Sequence, residues 1–253
     1  MARRHKLLTT NLTKIEFMDF KIIDAHSHLW LHQDTSWNGM KIKTTENGRS
    51  FFLTEEVQML PPFIIDGRNT AEIFLANMDY AQVAGAVVVQ ELIDGIQNDY
   101  LEEVKRKYAE RFFVFGMFDF FNGSPVRQVE ELYGRGFRGI AIPGHRLILN
   151  DRRVYLNSPE MMEMFKLMER KGMILSICLA ENHQQMDEIK EVIAECPELK
   201  IAIGHFGMVT QPGWEDQIML ARNKNVYVES GGITWLFNSE FYPYPSAVRA
   251  IRE

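Results

Sequence analysis

Seven short apolar runs, each four to seven residues long, alternate along this chain with amphipathic stretches. The runs are Ile22–Ala25, Ala84–Gln90, Phe112–Phe118, Phe137–Ile142, Met173–Leu179, Leu199–Gly204 and Val226–Glu229. Segments that brief and that continuous in apolar character read as strands buried on both faces. Helical patterns fill the gaps at Thr70–Val83, Asn98–Ala109, Pro125–Tyr133, Ser158–Gly172, Gln184–Ala194 and Gly213–Asn223. The fourth opens with Ser158 as a cap and Pro159 in its first turn, and stops at Gly172. Such alternation requires a parallel sheet with right-handed crossovers. The expected fold is α/β, a TIM-type (β/α)8 barrel, with the chain ending inside its seventh helix and before the eighth strand.

Residues 1–18 read as an N-terminal extension, and 19–253 as one incomplete barrel domain. The stretch 31–69 interrupts the pattern. It shows no clear periodicity and carries Asn38-Gly39, Asn47-Gly48 and Pro61-Pro62. A long loop after the first strand would lie over the C-terminal rim, as a lid-like insertion.

The net charge of -6 argues against nucleic acid or an anionic membrane as partner. No apolar run reaches the 18 residues of a membrane span. The two cysteines, Cys178 and Cys196, have no metal-type spacing and form no disulfide framework, so a reducing cytoplasm is the expected setting. A small, anionic molecule is the expected partner, and a homo-oligomer is left open.

His26 and His28 sit one residue apart where the first strand ends, so both side chains point to one side of an extended backbone. In parallel barrels that end faces the active site. His205 ends the sixth strand in the same way, in "IAIGHFG". Three imidazoles on one rim would suit a divalent ion that keeps a position open for water. Taken singly, each histidine also reads as an ordinary core or surface residue.

The motifs "DAHSHLW", "GFRGIAIP", "NSPEMMEMFKLMERKGM" and "IGHFGM" resemble the amidohydrolase superfamily, in its amidohydrolase 2 branch of metal-dependent TIM-barrel enzymes. The sugar-lactone and pyrone-carboxylate hydrolases are similar at "DAHSHLW", and the aminocarboxymuconate-semialdehyde decarboxylases at "GHFG". The resemblance implies His26, His28 and His205 as ligands of one divalent metal ion, zinc being the expected one. It implies hydrolysis of a small carboxylated substrate, a lactone or similar ester or amide. Non-oxidative decarboxylation on the same site is an alternative, as is an inactive barrel fragment. The sequence departs from the family pattern at strand five, where Cys178 stands in place of a histidine. It also has Ala141 near the place of the lysine that bridges two metals. The strand-eight aspartate would lie beyond Glu253.

Other candidates surround this set. His205 and His183 are the expected catalytic residues. His145, Arg146, Gln90 and Trp30 are expected to bind substrate, with Arg146 holding a carboxylate in a two-pronged grip. Glu91 also ends the second strand. Asp24 reads as a hydrogen-bond partner of the pair rather than a ligand.

Overall fold

The structure, a computed structural model, describes residues 21–37, 39–52 and 54–252. The extension expected at 1–18 lies outside them. Eleven strands are formed among these residues. They are β1 (Ile22–Ser27), β2 (Asp34–Trp37), β3 (Met40–Thr44), β4 (Arg49–Phe52), β5 (Glu55–Gln58), β6 (Val83–Val88), β7 (Phe112–Val114), β8 (Gly139–Ile142), β9 (Ile174–Ile177), β10 (Lys200–Ile203) and β11 (Val226–Val228). The longer helices are α1 (Ala71–Tyr80), α2 (Asn98–Lys107), α3 (Pro125–Gly134), α4 (Pro159–Arg170) and α5 (Met186–Glu195). Short helices at Trp214–Met219 and Pro245–Arg252 follow.

The seven apolar runs became β1 and β6 to β11, lying side by side in chain order. β1-β6-β7 form one parallel sheet and β8-β9-β10-β11 another. A parallel bridge between Gly116 and Ile140 joins the two. There Gly116 N–H donates to Gly139 O at 2.9 Å and Ala141 N–H to Gly116 O at 2.9 Å. Among the described residues no strand pairing connects β11 to β1, so a closed ring of strands is not formed within them.

α4 illustrates how the sequence builds the outer layer. Ser158 is extended, Pro159 occupies the first turn, and Gly172 leaves the helix at φ 63°. Met161, Met164, Phe165 and Met168 recur at the helical period and are all buried. They pack with Phe137, Ile140 and Ile142, so the methionine-rich stripe is core.

The stretch 31–69 is not a loop. β2 to β5 form a four-stranded antiparallel sheet. Asn47 and Gly48, at φ 56° and 72°, make the tight turn between β3 and β4, closed by Arg49 N–H donating to Glu46 O at 3.1 Å. Two left-handed residues in a row match the twist of a hairpin, and Asn-Gly is the sequence that adopts them most readily. Ile42, flanked by Lys41 and Lys43, is fully buried, which fixes the register. Both ends of the insertion are pinned where Trp30 and Asn69 exchange backbone hydrogen bonds at 3.0 and 3.1 Å. Gly67, at φ 65°, lets Thr44 approach; a β-carbon there would lie 1.7 Å from Thr44 Cγ2. The inserted sheet therefore sits firmly on the rim, and Gln58, Met59 and Leu60 at its end line the cavity below.

Candidate metal centre

β1 ends in Ser27, whose Oγ donates to Val87 O at 2.8 Å and ties the strand end to β6. That anchoring leaves His26 and His28 on either side of it, both facing a cavity of roughly 390 Å3. Their Nε2 atoms are 3.1 Å apart. Two nitrogens bound about 2.05 Å from one tetrahedral centre would be roughly 3.3 Å apart. The His205 ring lies 4.5 Å from the His26 ring, centroid to centroid.

Each imidazole has its other nitrogen occupied. His26 Nδ1 is 2.8 Å from Glu229 Oε1, and His28 Nδ1 is 3.3 Å from Asp94 Oδ2. Neither contact meets hydrogen-bond geometry, so each is a close charge contact between ring nitrogen and carboxylate. His205 Nδ1 is 2.8 Å from the carbonyl of Gly231. A carboxylate or carbonyl on one nitrogen sets the tautomer and leaves the other nitrogen's lone pair for a ligand. His26, His205 and Glu229 form a set whose donor atoms all lie within 4.8 Å of one another. His28 meets His26 but is outside that set. Three carboxylates gather at the site, Glu91 beside Arg146, Asp94 beside His28 and Glu229 beside His26, and a dication would offset their negative charge.

His205 is held by backbone as much as by side chain. His205, Phe206, Gly207 and Met208 all have positive φ, at 54°, 50°, 64° and 58°, making one left-handed turn. Glu229 secures it: Oε1 accepts the His205 N–H at 2.8 Å and the Glu229 carbonyl accepts the Phe206 N–H at 2.8 Å. Glu229 Oε2 takes the Gly231 N–H at 2.5 Å. Gly231 has to be glycine, because a β-carbon would lie 2.6 Å from both His26 Cβ and Glu229 Oε2.

Charge follows these contacts. Burial alone would raise the Glu229 pKa, but His26 and the two N–H donors outweigh it and hold the carboxyl below its ordinary range. Burial, helped by the charge of neighbouring His26, lowers the pKa of His205, favouring the neutral imidazole a metal requires. For His28, burial is outweighed by Asp94, and then by Glu91 and Glu229, so its pKa is raised. Burial pushes the Cys178 thiol well up, aided by Glu91 and Glu229, so a neutral thiol lines the cavity.

The remaining expectations fare unequally. His145 and Arg146 line the cavity from the turn after β8, and both reach Glu91 Oε2, at 3.2 and 3.3 Å. Trp30 is a buried wall whose Nε1 donates to Gly67 O at 2.9 Å. Gln90 lines the cavity, and its amide is engaged with Asn98, Phe115 O and the Gln97 N–H. Asp24 accepts the backbone N–H of His26 at 3.1 Å and fixes main chain rather than ring. His183 does not line the cavity; its ring sits half exposed, 2.6 Å from Asp216, apart from the other expected residues. Sequence reasoning misses the parts played by Glu229 and Asp94. Glu229 ends an apolar strand as His205 does, and that position is a usable signal.

The amidohydrolase-2 family profile, described as Amidohydrolase, matches residues 23–253. This chain belongs to the amidohydrolase-2 family. An uncharacterized protein of Sinorhizobium fredii, y4mH, is 25% identical over 240 residues, covering 88% of this chain and 77% of that protein. Among solved structures, an amidohydrolase from Burkholderia multivorans with bound zinc superposes with a TM-score of 0.66 at 14% identity, over 92% of this chain and 78% of that one. A probable 2-pyrone-4,6-dicarboxylic acid hydrolase from Acinetobacter baumannii, with citric acid bound, gives 0.64 at 17% identity, over 92% and 79%. At these identities the likeness is one of fold. Among the described residues of this amidohydrolase no helix is long and apolar enough to cross a membrane.

Glu91 provides a pH prediction for this family member. Burial would raise its pKa, but His145, then Arg146 and His28, bring it down to about 2. A carboxyl depressed by folding stabilises the fold above its unfolded pKa and loses that contribution as pH falls toward the folded value. Urea midpoints should therefore drop between about pH 4.5 and 2, and Glu91→Gln should flatten that drop. Parallel pH curves for parent and variant would refute the coupling.

Proposed function

We propose that this chain is a metal-dependent hydrolase of a small carboxylated substrate, a lactone or similar ester or amide. The supporting observation is the pair of Nε2 atoms 3.1 Å apart, each ring braced by a carboxylate at Nδ1, with His205 beside them. His26, His28 and His205 would hold one divalent ion, zinc being our choice, with Glu229 either bracing His26 or joining them. When bound, such an ion supplies a charge that polarises a carbonyl and acidifies water toward pKa ~7. The zinc in the Burkholderia relative and the citrate in the Acinetobacter one are consistent with a dication beside a carboxylate site.

The chain's own residues do the rest. Arg146 binds the substrate carboxylate, sharing its charge with Glu91. His145, its Nε2 oriented by Glu91, can take up the proton released on attack and return it to the leaving oxygen. Trp30, Met59 and Leu60 form the apolar wall that excludes bulk water.

The test is turnover of a lactone panel that includes 2-pyrone-4,6-dicarboxylate, with zinc and after chelation, in 18O-labelled water. One labelled oxygen per product, lost with the metal, is the expected outcome. Carbon dioxide release without label would assign decarboxylation instead. No turnover by zinc-loaded protein would overturn the reading.

A further inference from the structure

A buried polar chain runs from the histidines into the inserted sheet. Asp94, at the end of the 3-10 turn Leu92–Asp94, divides its carboxylate. Oδ2 faces His28 Nδ1 at 3.3 Å, and Oδ1 accepts Gln33 Nε2 at 2.6 Å. Gln33 Oε1 in turn accepts the Ser50 hydroxyl at 2.7 Å, from β4. The Gln33 main chain closes on β3, its N–H donating to Thr44 Oγ1 at 3.2 Å and its carbonyl accepting the Thr44 N–H at 2.8 Å. Asp94, Gln33, Ser50 and Thr44 are 6%, 1%, 2% and 5% exposed, so the network is buried along its length. The far end is fixed too, because Asn69 Nδ2 donates to the His28 carbonyl at 2.7 Å.

A buried network is favourable only while every member is satisfied. Lifting the sheet would break the Gln33–Asp94 and Ser50–Gln33 hydrogen bonds and leave one oxygen of Asp94 without its partner. Asp94 would then be free to turn, and the His28 ring would lose the contact that orients it. Seating of the sheet and orientation of the ring thus draw on the same Asp94 carboxylate, hydrogen-bonded to Gln33 on one oxygen and in close contact with His28 on the other.

We propose that the β2–β5 sheet is a working part of the metal centre: Ser50 and Gln33 are positioning residues that hold Asp94, and through it His28, in the ligating orientation. Linkage makes the effect mutual. If a seated sheet tightens the metal, bound metal keeps the sheet seated over the cavity. The proposal rests on His28 being a ligand, as argued above.

The test is zinc affinity by chelator competition, read beside amide hydrogen exchange of β3 and β4 with and without zinc. Gln33→Leu should weaken zinc about 10–100-fold, the range for loss of an outer partner. Ser50→Ala should weaken it less, and Ser50→Thr, which keeps the hydroxyl, should restore it. Arg49→Ala removes an exposed contact with Glu56 on the same sheet and should leave zinc affinity unchanged. Zinc should slow exchange of Lys41–Thr44 and Arg49–Phe52 in the parent, and much less in Gln33→Leu or Ser50→Ala. The 15N shifts of the His28 ring should change in those variants before metal is added. Parent-like zinc affinity in Gln33→Leu and Ser50→Ala, or zinc-insensitive exchange in the parent, overturns the proposal. So does an equal loss in Arg49→Ala, which would mean that sheet stability in general governs the metal. A parent that binds no more zinc than His26→Ala would instead remove the metal reading itself.

Discussion

Replacing His26 with alanine should leave a folded protein that holds less than about a tenth of the parent's zinc and turns over more than about a thousandfold slower. The size of the effect follows from where the ring sits. It is 3.1 Å from His28 Nε2, 2.8 Å from Glu229 Oε1 and 4.5 Å, centroid to centroid, from the His205 ring. Its removal takes a donor from both overlapping donor groups and leaves Glu229 without its imidazole. Loss of an outer partner alone typically costs 10–100-fold in metal affinity, so loss of a shared ligand should exceed that. Elemental analysis after equilibration against buffered zinc, with circular dichroism to verify folding, checks it. Equal metal in parent and variant would refute the ligand assignment.

Glu229→Ala should fail in two ways at once. Zinc affinity should fall about 10–100-fold as the His26 ring loses its brace. Stability should fall by about 3 kcal/mol, because the His205 and Gly231 N–H groups lose a charged acceptor in a site that is only 9% exposed. Glu229→Gln separates the two effects. Its amide oxygen can still accept one of those N–H groups, so much of the stability should return while the charge stays lost. Urea unfolding and zinc competition on the same three proteins read both quantities. A Glu229→Ala variant matching the parent in both would remove Glu229 from the centre.

The barrel strands were legible because each is continuous in apolar character, as a strand covered on both faces must be. β6 and β8 to β11 each fall within a residue or two of their apolar runs, while β7 stops at Val114, well short of the end of its run. α4 shows its caps and its period openly. The inserted sheet was less legible. Its strands are four or five residues long, and only the Lys41-Ile42-Lys43 alternation and the Asn47-Gly48 turn mark them. Both signals were present, but strands so short give too few repeats for a period to stand out. In the site, the histidines were visible because imidazoles at strand ends are unusual. Asp94 was not, because carboxylates are common on surfaces and only the fold reveals that this one is buried, while Glu229 offered only its place at the end of an apolar strand. The position of His183 was hidden for a related reason. The sequence places it soon after β9, yet its positive φ of 60° and its Asp216 partner carry it to the surface.

The left-handed turn after β10 places a limit on attempts to make this protein more heat-resistant. His205, Phe206 and Met208 each carry a side chain in a backbone conformation that costs about 1–2 kcal/mol apiece. Glycine at Phe206 or Met208 would relieve that cost, and a screen for higher melting temperature would reward it. The same change would slacken the hinge on which the His205 imidazole is mounted. Here tolerance to heat and fidelity of the chemistry pull the sequence in opposite directions.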